Sequence, residues 1–101
     1  MNRRRGMILD SRDNVANVLE NVATGETVAA ICGAETVTLQ ALEAIPFGFK
    51  VALADLSPGE PIYKYGEMIG RASRQIRRGE RVHIHNIEGL RGRGDLRPHN
   101  S

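Results

Sequence analysis

Val22-Ala23-Thr24-Gly25-Glu26-Thr27-Val28 decides how this 101-residue chain folds, because its form returns twice. Leu56-Ser57-Pro58-Gly59-Glu60-Pro61-Ile62 and Ile76-Arg77-Arg78-Gly79-Glu80-Arg81-Val82 share the pattern apolar-x-x-Gly-Glu-x-apolar. Glycine at the third turn position permits a positive φ, and the flanking apolar residues point back into a core as the chain enters a strand. Gly-Glu is also simply a good turn, but one corner used three times predicts a compact fold of bent strands clipped together. Intervals of 34 and 20 residues exclude a regular solenoid.

Outward from these corners the pattern has period two. Thr27 to Cys32 reads as a strand, Gly33-Ala34-Glu35 as a turn, and Thr36 to Gln40 as a strand with Val37 and Leu39 inward. A single helical turn fits Ala41 to Ala44, and Ile45-Pro46-Phe47-Gly48 is a sharp turn. Phe49 to Ala54 and Ile62 to Tyr65 are further strands, the second stopped by Gly66. Upstream, Met7-Ile8-Leu9 reads as an edge strand. Asp13 is a good helix N-cap, and Val15, Val18, Leu19 and Val22 fall at i, i+3, i+4 and i+7, predicting one helix that ends by Gly25. The expected fold is therefore mainly β with one short N-terminal helix.

Arg81-Val82-His83-Ile84-His85-Asn86 carries the candidate chemistry. Alternation of Val82 and Ile84 with His83 and His85 predicts a strand with both imidazoles on one face, about 6.6 Å apart along it. That spacing suits joint action on one ion or substrate group; it equally suits a half-buried strand whose wet face carries imidazoles, since two ligands fall short of a metal site.

Length allows one domain with one modest core, and 41% hydrophobic with 26% charged residues is ordinary for a soluble globular protein. The net charge of +2 resides at the ends: Arg3, Arg4 and Arg5 before the expected fold, Arg91, Arg93 and Arg97 after it. Setting aside those six and Asp95 leaves 8 of the 14 basic residues against 11 of the 12 acidic ones. A slightly acidic body with few aromatics argues against nucleic acid as a partner. Residues 1–6 are expected to be a disordered basic N-terminus, 7–88 the domain and 89–101 a flexible Gly/Arg-rich tail containing His99. The lone Cys32, in an apolar run, reads as an inert thiol in a reduced compartment. No stretch approaches the ~18 apolar residues of a membrane span and no signal peptide is evident, so the expected location is cytoplasmic.

Lys50 and Lys64 are the two lysines of the chain, and both fall in predicted strands beside glycine turns. A lysine so placed binds a carboxylate or phosphate as a point charge, or guards a strand edge against aggregation. Tyr63 and Tyr65 read as half-buried strand residues with wet hydroxyls. No phosphate-binding loop, Gly-x-Ser-x-Gly or Cys-x-x-Cys occurs.

Several motifs in order now carry a resemblance. They are Asp13-Asn14-Val15-Ala16, Ile45-Pro46-x-Gly48-x-Lys50-Val51-Ala52-Leu53, Gly59-Glu60-Pro61-Ile62-x-Lys64-Tyr65-Gly66, Ile69-Gly70-x-Ala72 and Val82-His83-x-His85-Asn86. From about Ile8 to Asn86 the chain resembles the SAF domain of the altronate and galactarate dehydratase family, with its β-clip fold. A related two-subunit sulfo-lyase has this module as a separate small subunit. The resemblance implies a small subunit of a hydro-lyase acting on a hydroxylated sugar acid, or of a sulfo-lyase acting on a sulfonate, with a separate large catalytic subunit. It implies His83 and His85 as catalytic residues and metal ligands, and Lys50, Lys64 and Asn86 as substrate-binding residues. A divalent metal, typically iron, would be held mainly by the large subunit, and a homo-oligomer is compatible with the pattern. One departure stands out: the family's Gly-His-Lys is here Gly48-Phe49-Lys50. The alternative it motivates is a stand-alone binding or regulatory domain without catalytic activity.

Overall fold

The computed structural model describes residues 3–89, and among them the chain forms nine strands and no helix. In chain order these are β1 (Arg3–Met7), β2 (Val15–Val18), β3 (Thr27–Cys32), β4 (Glu35–Gln40), β5 (Lys50–Ala52), β6 (Pro61–Lys64), β7 (Glu67–Ala72), β8 (Arg81–Val82) and β9 (Ile87–Gly89). Six of them make one sheet in the order β4-β3-β1-β2-β5-β8, and the other three make a second in the order β6-β7-β9. β1 and β3 run parallel; the remaining pairs are antiparallel.

The corners organise both sheets, and there are four rather than three. Gly25, Gly48, Gly59 and Gly79 have φ of 87°, 89°, 88° and 96°. Each is followed by a residue whose N–H donates across the turn: Glu26 to Ala23, Phe49 to Pro46, Glu60 to Ser57 and Glu80 to Arg77, at 2.9 to 3.1 Å. That is the hydrogen bond of a type II turn, with glycine where a positive φ is required. The corners then clip in pairs. Val22 and Ile45 exchange N–H···O bonds of 2.9 and 2.8 Å, as do Leu56 and Ile76 at 2.7 and 2.9 Å. Within the first clip Gly25 donates to Ala41 and Gly48 to Val18; within the second Gly59 donates to Ala72 and Gly79 to Ala52. The acceptor lies four residues before the partner corner's apolar residue in every case.

Ile45-Pro46-Phe47-Gly48-Phe49-Lys50-Val51 is the corner that the sequence pattern missed, because it lacks the glutamate. In two of the others that glutamate ties the turn's first N–H: Glu26 Oε1 accepts from Ala23 and Glu60 Oε1 from Ser57. Across each clip a residue preceding an apolar corner position caps the partner corner instead, with Asn21 Oδ1 accepting from Phe47 and Asp55 Oδ1 from Arg78.

Two apolar cores result. One contains Ala16, Val18, Val22, Val28, Ala30, Leu39, Ile45 and Val51; the other contains Val15, Ala52, Leu56, Ile62, Ile76 and Val82. β2 lies between them, its Ala16 and Val18 facing the first core and its Val15 the second.

That position explains why the expected helix is absent. A strand buried on both faces loses its alternation, and its apolar residues then imitate helical spacing. The composition points the other way: Val15, Val18 and Val22 are β-branched, and Asn14, Asn17 and Asn21 are poor helix formers. No helical turn forms at 41–44 either. The N-terminal expectation also changes, since β1 begins at Arg3 and lies inside the sheet, between β3 and β2, rather than at an edge. Arg4 pairs with Glu26 at 3.1 Å and with Glu20 at 3.5 Å, and Arg5 with Glu20 at 3.1 Å, so basic residues expected in a solvated arm stitch the first strand to the body. The Gly/Arg-rich tail and His99 lie outside the described residues from residue 90 onward.

Candidate functional site

Lys50 opens β5, in register with Asn17 of β2 on one side and Val82 of β8 on the other. Cross-strand partners share a face, so Lys50 lies on the side of the sheet that carries Val15, Ala52 and Val82 and meets the second core. It is half-buried, and no described residue forms an ion pair or hydrogen bond with its ammonium. Burial lowers its pKa from the ordinary 10.5, and the nearby Lys64 ammonium lowers it further. Two cations share this neighbourhood and neither is ion-paired to a described residue, an arrangement that favours a bound anion.

Lys64 ends β6, and its place relative to Lys50 is fixed by Asp13 and Asn14. Asn14 Oδ1 accepts from Tyr63 N at 2.8 Å, its Nδ2 donates to Pro61 O at 3.0 Å, and its backbone carbonyl accepts from Leu53 N at 2.9 Å. One residue thus staples β6 to the segment that follows β5. Asp13, 9% exposed, accepts from Tyr65 N at 3.0 Å and from Gly66 N at 2.8 Å, holding the hairpin turn between β6 and β7. Gly66 is needed there: its φ is +72°, and a Cβ would lie 2.5 Å from Arg12 Nη2 and 2.8 Å from Asp10 Oδ2. Sequence pattern places Asp13 and Asn14 at the start of a helix and gives neither a role at the site. An Asp-Asn pair outside any helix is itself a signal for side-chain bonds to distant backbone.

The histidines are arranged differently from the strand that the sequence predicts. β8 stops at Val82, and residues 83–86 form a turn closed by hydrogen bonds from Asn86 N and Ile87 N to His83 O, both 3.0 Å. Asn86 breaks the strand. Its amide, 0% exposed, accepts from His83 N at 2.9 Å and donates to Arg81 O at 2.8 Å. The side chain expected to bind substrate is therefore committed to the backbone and does not face solvent. His83 packs on Phe49, with ring centroids 4.6 Å apart and tilted by 48°, and Arg81 lies 5.7 Å from the same ring. Alternation places Phe49 and Lys50 on opposite sides of β5, so this cluster is not joined to the two lysines. His85 is exposed, as is Ile84, at 82%.

Of the predicted site residues, Lys50 and Lys64 share one neighbourhood, His83 packs apart from them on Phe49, His85 is exposed, and the Asn86 amide is committed to the backbone. No group of three His, Cys, Asp or Glu side chains able to hold a metal occurs among the described residues. His83 and His85 do not make a metal site by themselves, and no further ligand joins them among the described residues. Likewise no helix among the described residues is long and apolar enough to cross a membrane.

Comparison with known proteins agrees with this architecture. The family described as the altronate/galactarate dehydratase SAF domain matches residues 4–90. The (2R)-sulfolactate sulfo-lyase subunit alpha of Chromohalobacter salexigens is 40% identical over 76 residues, which is 73% of this chain and 81% of that subunit. The altronate dehydratase of Bacillus subtilis is 35% identical over 80 residues, and that of Escherichia coli 40% identical over 74. The chain spans only 15% and 14% of those two dehydratases.

Proposed function

This chain belongs to the altronate/galactarate dehydratase SAF domain family, and from that premise we propose that it is the small subunit of a carbon-oxygen or carbon-sulfur lyase, working with a separate large catalytic chain. Its four reciprocal corners are the β-clip of this reading. The substrate is a hydroxylated acid bearing a carboxylate or a sulfonate.

The observation that carries the proposal is Lys50, a half-buried ammonium without an ion-pair or hydrogen-bond partner among the described residues, near a second ammonium. These two side chains receive the anionic group and orient the substrate against the large chain, where a proton is removed and water or sulfite departs. His83 and His85 supply imidazoles to a site that the large chain completes, as proton carriers or as part of a ligand set for a divalent metal. Support for a separate subunit comes from the sulfolactate relative, which is named a subunit and is matched over most of its length.

Phe49 favours a second reading. Its apolar ring occupies the face of His83, an environment suited to packing rather than proton transfer, as in a binding domain that has lost its chemistry. Affinity capture of the tagged chain from its native cells separates the two. Recovery of a large chain together with sugar-acid dehydration or sulfolactate cleavage supports the lyase subunit; recovery of the chain alone, without turnover, supports the binding domain.

A further inference from the structure

Among the described residues Tyr65 is the one non-glycine with a positive φ, at +60°. A bulky side chain adopts this left-handed conformation at a cost that asparagine or glycine largely avoids, and both are the usual residues of a two-residue hairpin turn. Burial does not offset that cost, because Tyr65 is 65% exposed. The conformation is instead held by the Asp13 carboxylate, which accepts from the backbone of both turn residues. What the tyrosine ring touches is Lys64, whose Nζ stands 5.4 Å from its centroid.

We propose that Tyr65 is a positioning residue: its ring, fixed by the backbone that Asp13 clamps, holds the Lys64 ammonium toward Lys50 so that both cations receive one carboxylate or sulfonate. This rests on the anion-site reading of the two lysines given above. Strain maintained at an exposed residue beside a half-buried cation that has no ion-pair partner among the described residues is the pattern of a functional constraint rather than of a turn chosen for stability. A cation–π contact gives a free lysine a preferred position without neutralising it, which a carboxylate in the same place would do. Asn14, bonded to Tyr63 and Pro61 of β6 and to Leu53 just beyond β5, sets the strand that carries Lys64 beside the strand that carries Lys50.

The test compares Tyr65→Asn, Tyr65→Phe, Lys64→Ala and Lys50→Met in the full chain. It follows thermal unfolding, NMR titration of the Lys50 ammonium, and calorimetric binding of galactarate and of (2R)-sulfolactate. Tyr65→Asn is expected to raise Tm by about 4 °C as strain is relieved. It should also raise the Lys50 pKa as much as Lys64→Ala does, and weaken anion binding by about threefold or more. Tyr65→Phe keeps the ring and should preserve titration and affinity. An Asn variant with unchanged Lys50 titration and unchanged affinity would overturn the positioning role. Absence of binding by the unsubstituted chain, or undiminished binding by both lysine variants, would overturn the anion site beneath it.

Discussion

The carboxylate of Asp13 holds the backbone of Tyr65 at 3.0 Å across 52 residues of sequence. With its second bond, to Gly66, it ties the turn of the three-stranded sheet to the loop that enters β2. Hydrogen bonds to a charged, buried acceptor are worth about 1.5–3 kcal/mol each. Asp13→Ala should therefore lower stability by about 2–4 kcal/mol in urea unfolding, with the largest gains in amide exchange at Tyr65 and Gly66. A loss under 1 kcal/mol would show that the clamp is dispensable.

Asn86 has an equally specific task. Asn86→Ala leaves the His83 N–H and the Arg81 carbonyl without their buried partner, at a cost of about 2–3 kcal/mol. His83 should lose its contact with Phe49 as the turn loosens. The upfield shift of the His83 ring protons caused by that aromatic neighbour is the measurement, and it should collapse toward the random-coil value.

The corners and most of the strands were legible in the sequence because a type II turn needs glycine and an adjoining apolar residue at fixed offsets. Gly-Glu marks three of them, and the sharp turn at Gly48 falls outside that pattern because Phe49 stands where the others have glutamate and Asn21 caps the turn from across the clip. The helix was misread for the opposite reason. Val15 and Val18 serve different cores, and a two-sided strand has no alternation to detect. Lys50 and Lys64 were recognisable as unusual by scarcity and placement, but their proximity arises from Asn14 stapling two sheets together, a tertiary fact with no sequence period. Asn86 looked like a ligand because nothing local reveals that an amide turns back onto its own chain.

Acid should loosen the N-terminal strand first. Arg5 holds the Glu20 carboxyl, and Arg4 the Glu26 carboxyl, below the ordinary value, and the Arg12 guanidinium holds Asp10 at about 2. Folded-state values below the unfolded ones mean that these groups contribute stability above the unfolded carboxylate range. That contribution is lost as pH falls through the folded values, from about 4.5 downward to about 2. NMR titration should show Glu26 rising toward its ordinary value in Arg4→Ala, with the Ala23 N–H still holding it down, and molar salt should shrink the acid dependence. An unchanged Glu26 titration in that variant would contradict the ion pair.

Gly25 and Gly79 have similar left-handed backbones and different surroundings. A Cβ at residue 25 meets nothing within 4 Å, whereas one at residue 79 would collide with the Gln40 carbonyl and approach Leu42. Gly25→Ala should cost about 1 kcal/mol from conformation alone. Gly79→Ala should cost at least ~1 kcal/mol more, since the obstructing atom is backbone. The difference in urea midpoints checks the packing of the second clip against β4; equal costs would contradict it.

The most direct test of the whole account is the activity of the complex captured on the tagged chain, with Lys50 or with Lys50→Met. The unsubstituted complex should dehydrate a sugar acid or release sulfite from sulfolactate. The variant should lose kcat/KM by about 30-fold or more, the size of one charge-assisted contact of ~2 kcal/mol. It should at the same time unfold at higher urea, because a half-buried ammonium whose pKa is lowered on folding destabilises the folded chain at every pH below that lowered value. Equal kcat/KM in the two complexes would contradict the anion site, and an inactive unsubstituted complex would contradict the lyase subunit itself.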